Sequence, residues 1–382
     1  MNQSCIINVL HIASGDLWAG AEVQLYTLAK ALNKRQDTNI TVVLLNHGML
    51  EKKLVENGVH VTVLDESKLN AFKILRRLIT TIHKEKPDVI HTHRVKENIL
   101  GSLAALVHNT PTVRTTHGAP EHKPAWQQIP KRLILFIDWF CGRFLQKKII
   151  AVSDDLAEIL NNDYPAEKIK VIENGIDLTS FTTRPKPVQP GFEDGNPTFR
   201  IGVAGRLVPV KRVDLFIETA AELLNTHPEL NIIFKIIGDG PLRTELVALS
   251  RRLNTENNVM FEGHCDNIKE ELASLDALLI TSDHEGLPMI LLEAMALETP
   301  VIAHAVGGIP AVLNHGECGL IISDQRATAY ADAIMELISN IEVRREITQN
   351  ALTRVTAAYS SNENATAYYK IYIDVIKNHR QR

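Results

Sequence analysis

Cysteine is scarce in this 382-residue chain, and the four present, Cys5, Cys141, Cys265 and Cys318, stand far apart with no Cys-x-x-Cys pair. That spacing excludes a disulfide framework or a structural zinc cluster and fits reduced thiols. An excess of one charge is also missing: 41 Lys and Arg against 45 Asp and Glu leave a formal net charge of -4. Nucleic acid is therefore not an expected partner. No uncharged apolar run reaches membrane-spanning length, and residues 1–10 lack the basic start and long apolar core of a signal peptide, so a cytoplasmic location is expected. Three ligand signatures are absent too: the Lys-Ser/Thr of a P-loop, the Gly-x-Gly-x-x-Gly of a dinucleotide fold, and an Asp-x-Asp near a strand end. Their absence argues against an NTPase, a nicotinamide enzyme and a motif-held metal, and no cofactor is expected.

What is present is an alternation of apolar strand patterns and helical patterns from end to end, in a chain that is 45% hydrophobic and long enough for two domains. That alternation implies α/β architecture with parallel sheets covered by helices on both faces. Strands are expected over 6–11, 41–45, 59–64, 88–91, 112–115 and 148–152, then over 200–204, 232–237, 259–261, 277–281, 301–303 and 320–322. A helix is expected over 213–224, and only helices from 328 onward. Residues 182–198 are rich in proline, glycine and polar side chains, the composition of a linker. The expected domains are therefore 1–181 and 199–357, with 358–382 as a final helix.

The most informative stretch runs from Glu285 through Gly286, Leu287, Pro288 and Met289 to Glu293. It follows a buried-strand pattern and opens a helix, with Pro288 suited to the first helical position. Glu285 thus stands at the carboxyl end of a parallel strand, where open α/β sheets bind ligands, and Glu293 on the second helical turn. Gly286 permits close backbone approach, and a helix N-terminus near Leu287 and Met289 favours an anion such as phosphate. Carboxylates beside a phosphate cradle suit sugar and ribose hydroxyls, so a sugar nucleotide is the expected ligand. A second loop, Gly205-Arg206-Leu207-Val208-Pro209-Val210-Lys211, also follows a strand. Arg206 and Lys211 there suit a diphosphate whose charge grows as the sugar leaves.

These motifs resemble those of the retaining glycosyltransferases of family 4, the group 1 glycosyltransferases. The resemblance implies the GT-B fold, two Rossmann-like domains facing across a cleft with the last helix crossing back to the N-terminal domain. It implies a role for Glu285 at the donor sugar, Glu293 at the ribose, and Arg206 and Lys211 at the pyrophosphate. His117, in Thr115-Thr116-His117-Gly118, resembles the histidine that reaches the donor sugar from the other domain. Gly20, in Gly15-Asp16-Leu17-Trp18-Ala19-Gly20-Ala21-Glu22, matches a Gly-Gly-x-Glu loop at the donor phosphate, with Ala19 where the first glycine is usual. Gly263-His264 falls where the base is held through backbone groups. Gly238, in Gly238-Asp239-Gly240-Pro241, is either a turn scaffold or a backbone contact to the nucleotide.

Ser153 and Asn174-Gly175-Ile176-Asp177 match family turns that turn chemistry explains as well. In Gly307-Gly308-Ile309-Pro310, Ala311 follows where the family commonly has glutamate. The expected activity is retaining, metal-independent transfer of a hexose-type sugar from a nucleoside-diphosphate sugar to a glycan or lipid-linked acceptor in bacterial surface polysaccharide or glycolipid synthesis. A UDP-sugar is favoured over a GDP-sugar. The competing reading is a sugar-nucleotide epimerase or other non-transferase of the same architecture.

His93, Arg94 and Lys96, at a strand end, suit an acceptor phosphate or are simply a solvated loop. Residues 131–148 form a strongly apolar stretch, including Leu133, Phe136, Trp139, Phe140 and Phe144, with basic flanks at Lys131, Arg132, Arg143, Lys147 and Lys148. Peripheral docking on an anionic membrane is one reading, and a buried helix the other, which apolarity all round favours.

Overall fold

The computed structural model describes residues 6–16, 18–118, 128–181, 191–193, 196–265 and 267–381, with backbone alone for 191–193 and 196–197. The chain divides into two compact units, Met1–Asp177 with Ser360–Arg382, and Leu178–Tyr359. Each is a doubly wound parallel sheet.

Unit 1 contains β1 (Ile7–Ala13), α1 (Gly20–Asn33), β2 (Thr38–Leu44), α2 (Met49–Glu56), β3 (His60–Val63), α3 (Ala71–Glu85), β4 (Val89–Thr92), α4 (Val95–His108), β5 (Thr112–Thr116), α5 (Ile129–Phe140), β6 (Lys148–Ala151), α6 (Asp154–Asn161) and β7 (Ile169–Val171). Its strand order is β3-β2-β1-β4-β5-β6-β7. The central strands are buried on both faces, which is why they read as continuous apolar runs. Helix α3 shows the opposite case: Ile74, Leu78 and Ile82 alone are buried, four residues apart on one face. Its start is fixed by the Asn70 side chain, which accepts from the Lys73 amide at 3.0 Å. Ser153 caps α6 in the same way, accepting from the Leu156 amide at 3.3 Å.

Unit 2 contains β8 (Gly191–Glu193), β9 (Asn196–Ala204), α7 (Val213–Thr226), β10 (Ile232–Ile237), α8 (Arg243–Arg252), β11 (Val259–Gly263), α9 (Ile268–Ala273), β12 (Ala277–Ile280), α10 (Met289–Ala296), β13 (Val301–His304), α11 (Ile309–Val312), β14 (Leu320–Ile322), α12 (Ala327–Ser339) and α13 (Ile341–Ala358). The order β11-β10-β9-β12-β13-β14 reverses direction between β9 and β12. Phe216 of α7 and Phe234 of β10 meet edge to face in its core, with ring centres 5.6 Å apart. The last helix, α14 (Ser361–Arg380), returns to unit 1 and buries Tyr368, Tyr372, Val375 and Ile376 among residues of α1 and the sheet.

Most of the expected linker, 182–198, lies outside the described residues; of the rest, 191–193 form β8, antiparallel to β9, and 196–198 already belong to β9. Asn174-Gly175-Ile176-Asp177 stands where the chain leaves unit 1 and α14 rejoins it. Ile176 bridges Ser360, and the Glu173 carbonyl accepts from Asn364 Nδ2 at 2.5 Å. No helix among the described residues is long and apolar enough to cross a membrane.

Candidate active site

The reversal point of the unit 2 sheet brings two loops together, one after β9 and one after β12. They are joined by backbone and side chain alike: the Asp283 amide donates to the Val210 carbonyl at 2.8 Å, and Thr281 Oγ1 donates to the Lys211 carbonyl at 2.9 Å. This crevice at the carboxyl ends of the strands is where doubly wound sheets take ligands. Gly205, Arg206, Lys211, Ser282 and Glu285 line a pocket there.

Glu285 is held by two donors. Lys211 Nζ lies 2.5 Å from its Oε1, and Ser282 Oγ donates to the same oxygen at 2.7 Å. Of the two cations expected at a diphosphate, Lys211 thus has a carboxylate partner in Glu285. Arg206 is exposed at the pocket and has no ion-pair partner among the described residues. A planar guanidinium in that state is available to phosphate oxygens.

The loop carrying Glu285 is braced from behind. Gly307 has φ +56, and a Cβ there would stand 2.0 Å from the Glu285 carbonyl oxygen, so only glycine allows this approach. The Gly308 amide then donates to the Gly286 carbonyl at 2.7 Å, and His304 Nδ1 lies 2.8 Å from the Ser282 carbonyl. Pro288 is the cap of α10 and not its first residue; its ψ of 127 is extended, and the helix begins at Met289. Gly286, Leu287, Pro288 and Met289 are all buried. Glu293 is buried on the second turn of α10, and burial pushes its carboxyl up to about 7, against the pull of Lys269.

Gly238 has a scaffold role: a Cβ there would fall 1.9 Å from the Gly205 carbonyl oxygen, so Gly238 sets the approach of the β9 and β10 loops. Its amide donates to Gly263 at 2.8 Å, and His264 is exposed just beyond.

In unit 1, Gly20 opens α1, and the space where its side chain would be is empty, which leaves the backbone approachable. His117 is half-exposed after β5, with Nε2 3.2 Å from His93 Nδ1. Arg94 and Lys96, candidates for an acceptor phosphate, are both engaged, Arg94 with Glu22 and Lys96 with Glu66.

Sequence reasoning passed over Thr281 and Ser282, whose only signal was two hydroxyls directly after an apolar run. It also passed over Arg212, which takes φ 48 between the loops and reaches Asp214 at 3.1 Å and Asp283 at 3.3 Å.

Two family descriptions match the chain: "Glycosyltransferase Family 4" over residues 18–180 and "Glycosyl transferases group 1" over residues 191–354. The N-acetyl-alpha-D-glucosaminyl L-malate synthase of Bacillus anthracis is 33% identical over 168 residues, 44% of this chain and 43% of that protein's length. The UDP-Gal:alpha-D-GlcNAc-diphosphoundecaprenol alpha-1,3-galactosyltransferase of Escherichia coli is 24% identical over 82% of each chain. Among solved structures, Anabaena Alr3699/HepE in complex with UDP-glucose superposes with a TM-score of 0.82 at 22% identity, covering 95% of this chain and 99% of that one.

Proposed function

Because the chain belongs to the group 1, family 4 glycosyltransferases of GT-B fold, we propose that it moves a hexose-type sugar, with retention, from a UDP-sugar to a glycan or lipid-linked acceptor. The observation that carries this reading is the crevice between the β9 and β12 loops. There an unpaired guanidinium, Arg206, stands beside Glu285, a carboxylate fixed by Lys211 and Ser282. Arg206 takes the diphosphate, and its charge stabilises the leaving group as the glycosidic bond breaks. Glu285 accepts hydrogen bonds from sugar hydroxyls, while Lys211 and Ser282 hold its orientation. Glu293 accepts from the ribose, and His117 is assigned to the donor sugar. No step in this account needs a metal ion.

The donor preference is supported by the UDP-sugar chemistry in the names of the Escherichia coli transferase and the Anabaena complex. A diphosphoundecaprenol acceptor, as in the former name, is lipid-linked and is met at a membrane. Surface polysaccharide or glycolipid synthesis is the corresponding setting. Helix α5 fits that demand: Ile129, Leu133, Phe136 and Phe140, with Phe144 just after it, are exposed, and Lys131 and Arg132 are exposed beside them. This apolar face with basic flanks docks on anionic lipid.

A panel of UDP- and GDP-sugars, screened for a rise in Tm, tests the donor, since a ligand of the folded state stabilises by mass action. Stabilisation by UDP-sugars is expected. Stabilisation by GDP-sugars alone would reverse the donor assignment, and anomeric NMR of the product decides retention.

A further inference from the structure

Four histidines crowd one face of the unit 1 sheet, at the carboxyl ends of its three middle strands. His11 on β1 and His91 on β4 are register partners, His93 directly follows β4, and His117 directly follows β5. His11, His91 and His93 are buried.

Three of the rings form a chain. His11 Nδ1 lies 3.1 Å from His93 Nε2, and His93 Nδ1 lies 3.2 Å from His117 Nε2. Desolvation lowers His11 to about 3 and His117 to about 4, the latter helped by the charge of Arg94, and holds His93 well below the ordinary range. Each ring is therefore neutral near pH 7, with one N–H and one lone pair. A neutral ring that donates on one side must accept on the other. The direction of the first bond thus fixes the second: all three rings carry the proton on Nδ1, or all three on Nε2. His11 Nε2 is buried and has no partner among the described residues, and an orphaned N–H is rarer than an orphaned acceptor. That selects Nδ1–H throughout.

His91 stands outside the chain and is satisfied separately, with Nδ1 2.7 Å from Tyr372 OH and Nε2 2.8 Å from Thr115 Oγ1. The proximity of His11, His91 and His93 does not make a metal centre. Both His91 nitrogens are occupied, and the His91 and His93 rings stack at 4.3 Å, whereas a metal ion lies in the plane of each ring that binds it. The other groups packed against the cluster are Tyr368 and Tyr372 of α14, Gln24 of α1, and Arg94, whose partner is Glu22 of α1.

We infer that His11 and His93 are positioning residues: through this chain they fix His117 in the Nδ1–H tautomer, so that its outer nitrogen donates to a sugar oxygen. The inference rests on the reading of His117 as sugar-facing. Imidazole NMR of 15N-labelled protein, with rings identified from single variants, tests it. Nδ1–H is expected in all three rings, with no titration between pH 6 and 8. In His93→Phe the His117 tautomer becomes mixed and turnover falls about ten- to a hundredfold, as for loss of one preorganised donor. His93→Gln can accept from His11 and donate to His117, so it restores both the tautomer and most of the turnover.

Nε2–H at His117 in the wild type, or a ring titrating near 6.5, overturns the inference. So does binding of Zn2+ alone that shifts these resonances and raises Tm. If His117→Ala keeps full turnover, the sugar-facing reading fails instead, whatever the tautomers are.

Discussion

Glu285 owes its geometry to a residue 74 positions earlier, and the two therefore act as one unit. Lys211→Ala frees the carboxylate and Glu285→Ala strands the ammonium, so each should lower kcat about ten- to a thousandfold. The double variant should be little worse than either. Strictly additive losses would show that the two act separately. Glu293 carries a pH signature. Ribose hydroxyls donate to the ionised carboxylate, so donor affinity should rise as pH climbs through about 7 and level off above it, with a proton released on binding. The folded state keeps this proton while the unfolded chain gives it up near 4.5, so stability should fall between pH 4.5 and about 7, with the loss complete above that. Glu293→Gln should flatten both slopes, as read by calorimetric titration and by thermal melts across pH. A wild-type affinity constant from pH 5.5 to 8.5 would rule this role out. The strand, turn and helix around Glu285 were legible because each is local. Its pairing with Lys211 was not, because it depends on β9 and β12 lying side by side; the histidine chain likewise needs three strands in register.

Among the elements, every expected strand has its counterpart, while two were missed: β8, inside the expected linker, and the edge strand β7. Its three residues, Ile169, Lys170 and Val171, form an edge strand with two side chains exposed, too short to set up a pattern. Helix α5 shows the opposite limit. Its apolarity all round favoured a core helix, yet on α5 only Asp138 is buried; it binds Arg114 at 2.9 Å in a buried pair. Trp139 is partly covered and donates to the Asp163 carbonyl at 3.1 Å, so the phenylalanines, rather than the indole, form the free face. Composition gives the polarity of a helix but not what covers it. Sedimentation with anionic vesicles at low salt should pull the protein down, and high salt or Lys131→Ala/Arg132→Ala should weaken this, at about 1 kcal/mol per cation. Equal recovery with neutral and anionic vesicles would remove the electrostatic part of the account.

At the scale of the whole molecule, unit 1 is closed by residues from the far end of the chain. Tyr368, Tyr372, Val375 and Ile376 are buried in it, at about 1.5–3 kcal/mol each, a sum comparable with the entire stability of a domain. Deleting α14 should therefore leave unit 2 folded and unit 1 sensitive to limited proteolysis; a protease-resistant unit 1 would contradict this. The doubling of the α/β pattern, and its run of helices at the end, made the two sheets and α14 readable from sequence. The family match sets aside the epimerase reading. The most direct test of the central claim is release of nucleoside diphosphate from a UDP-hexose, followed with acceptor extract and excess EDTA, for wild type and Arg206→Ala side by side. The account predicts acceptor-dependent release that EDTA leaves intact and that the variant loses about ten- to a thousandfold with its Tm unchanged. Release that is abolished by EDTA and restored by magnesium or manganese, or that survives in the variant, would contradict it.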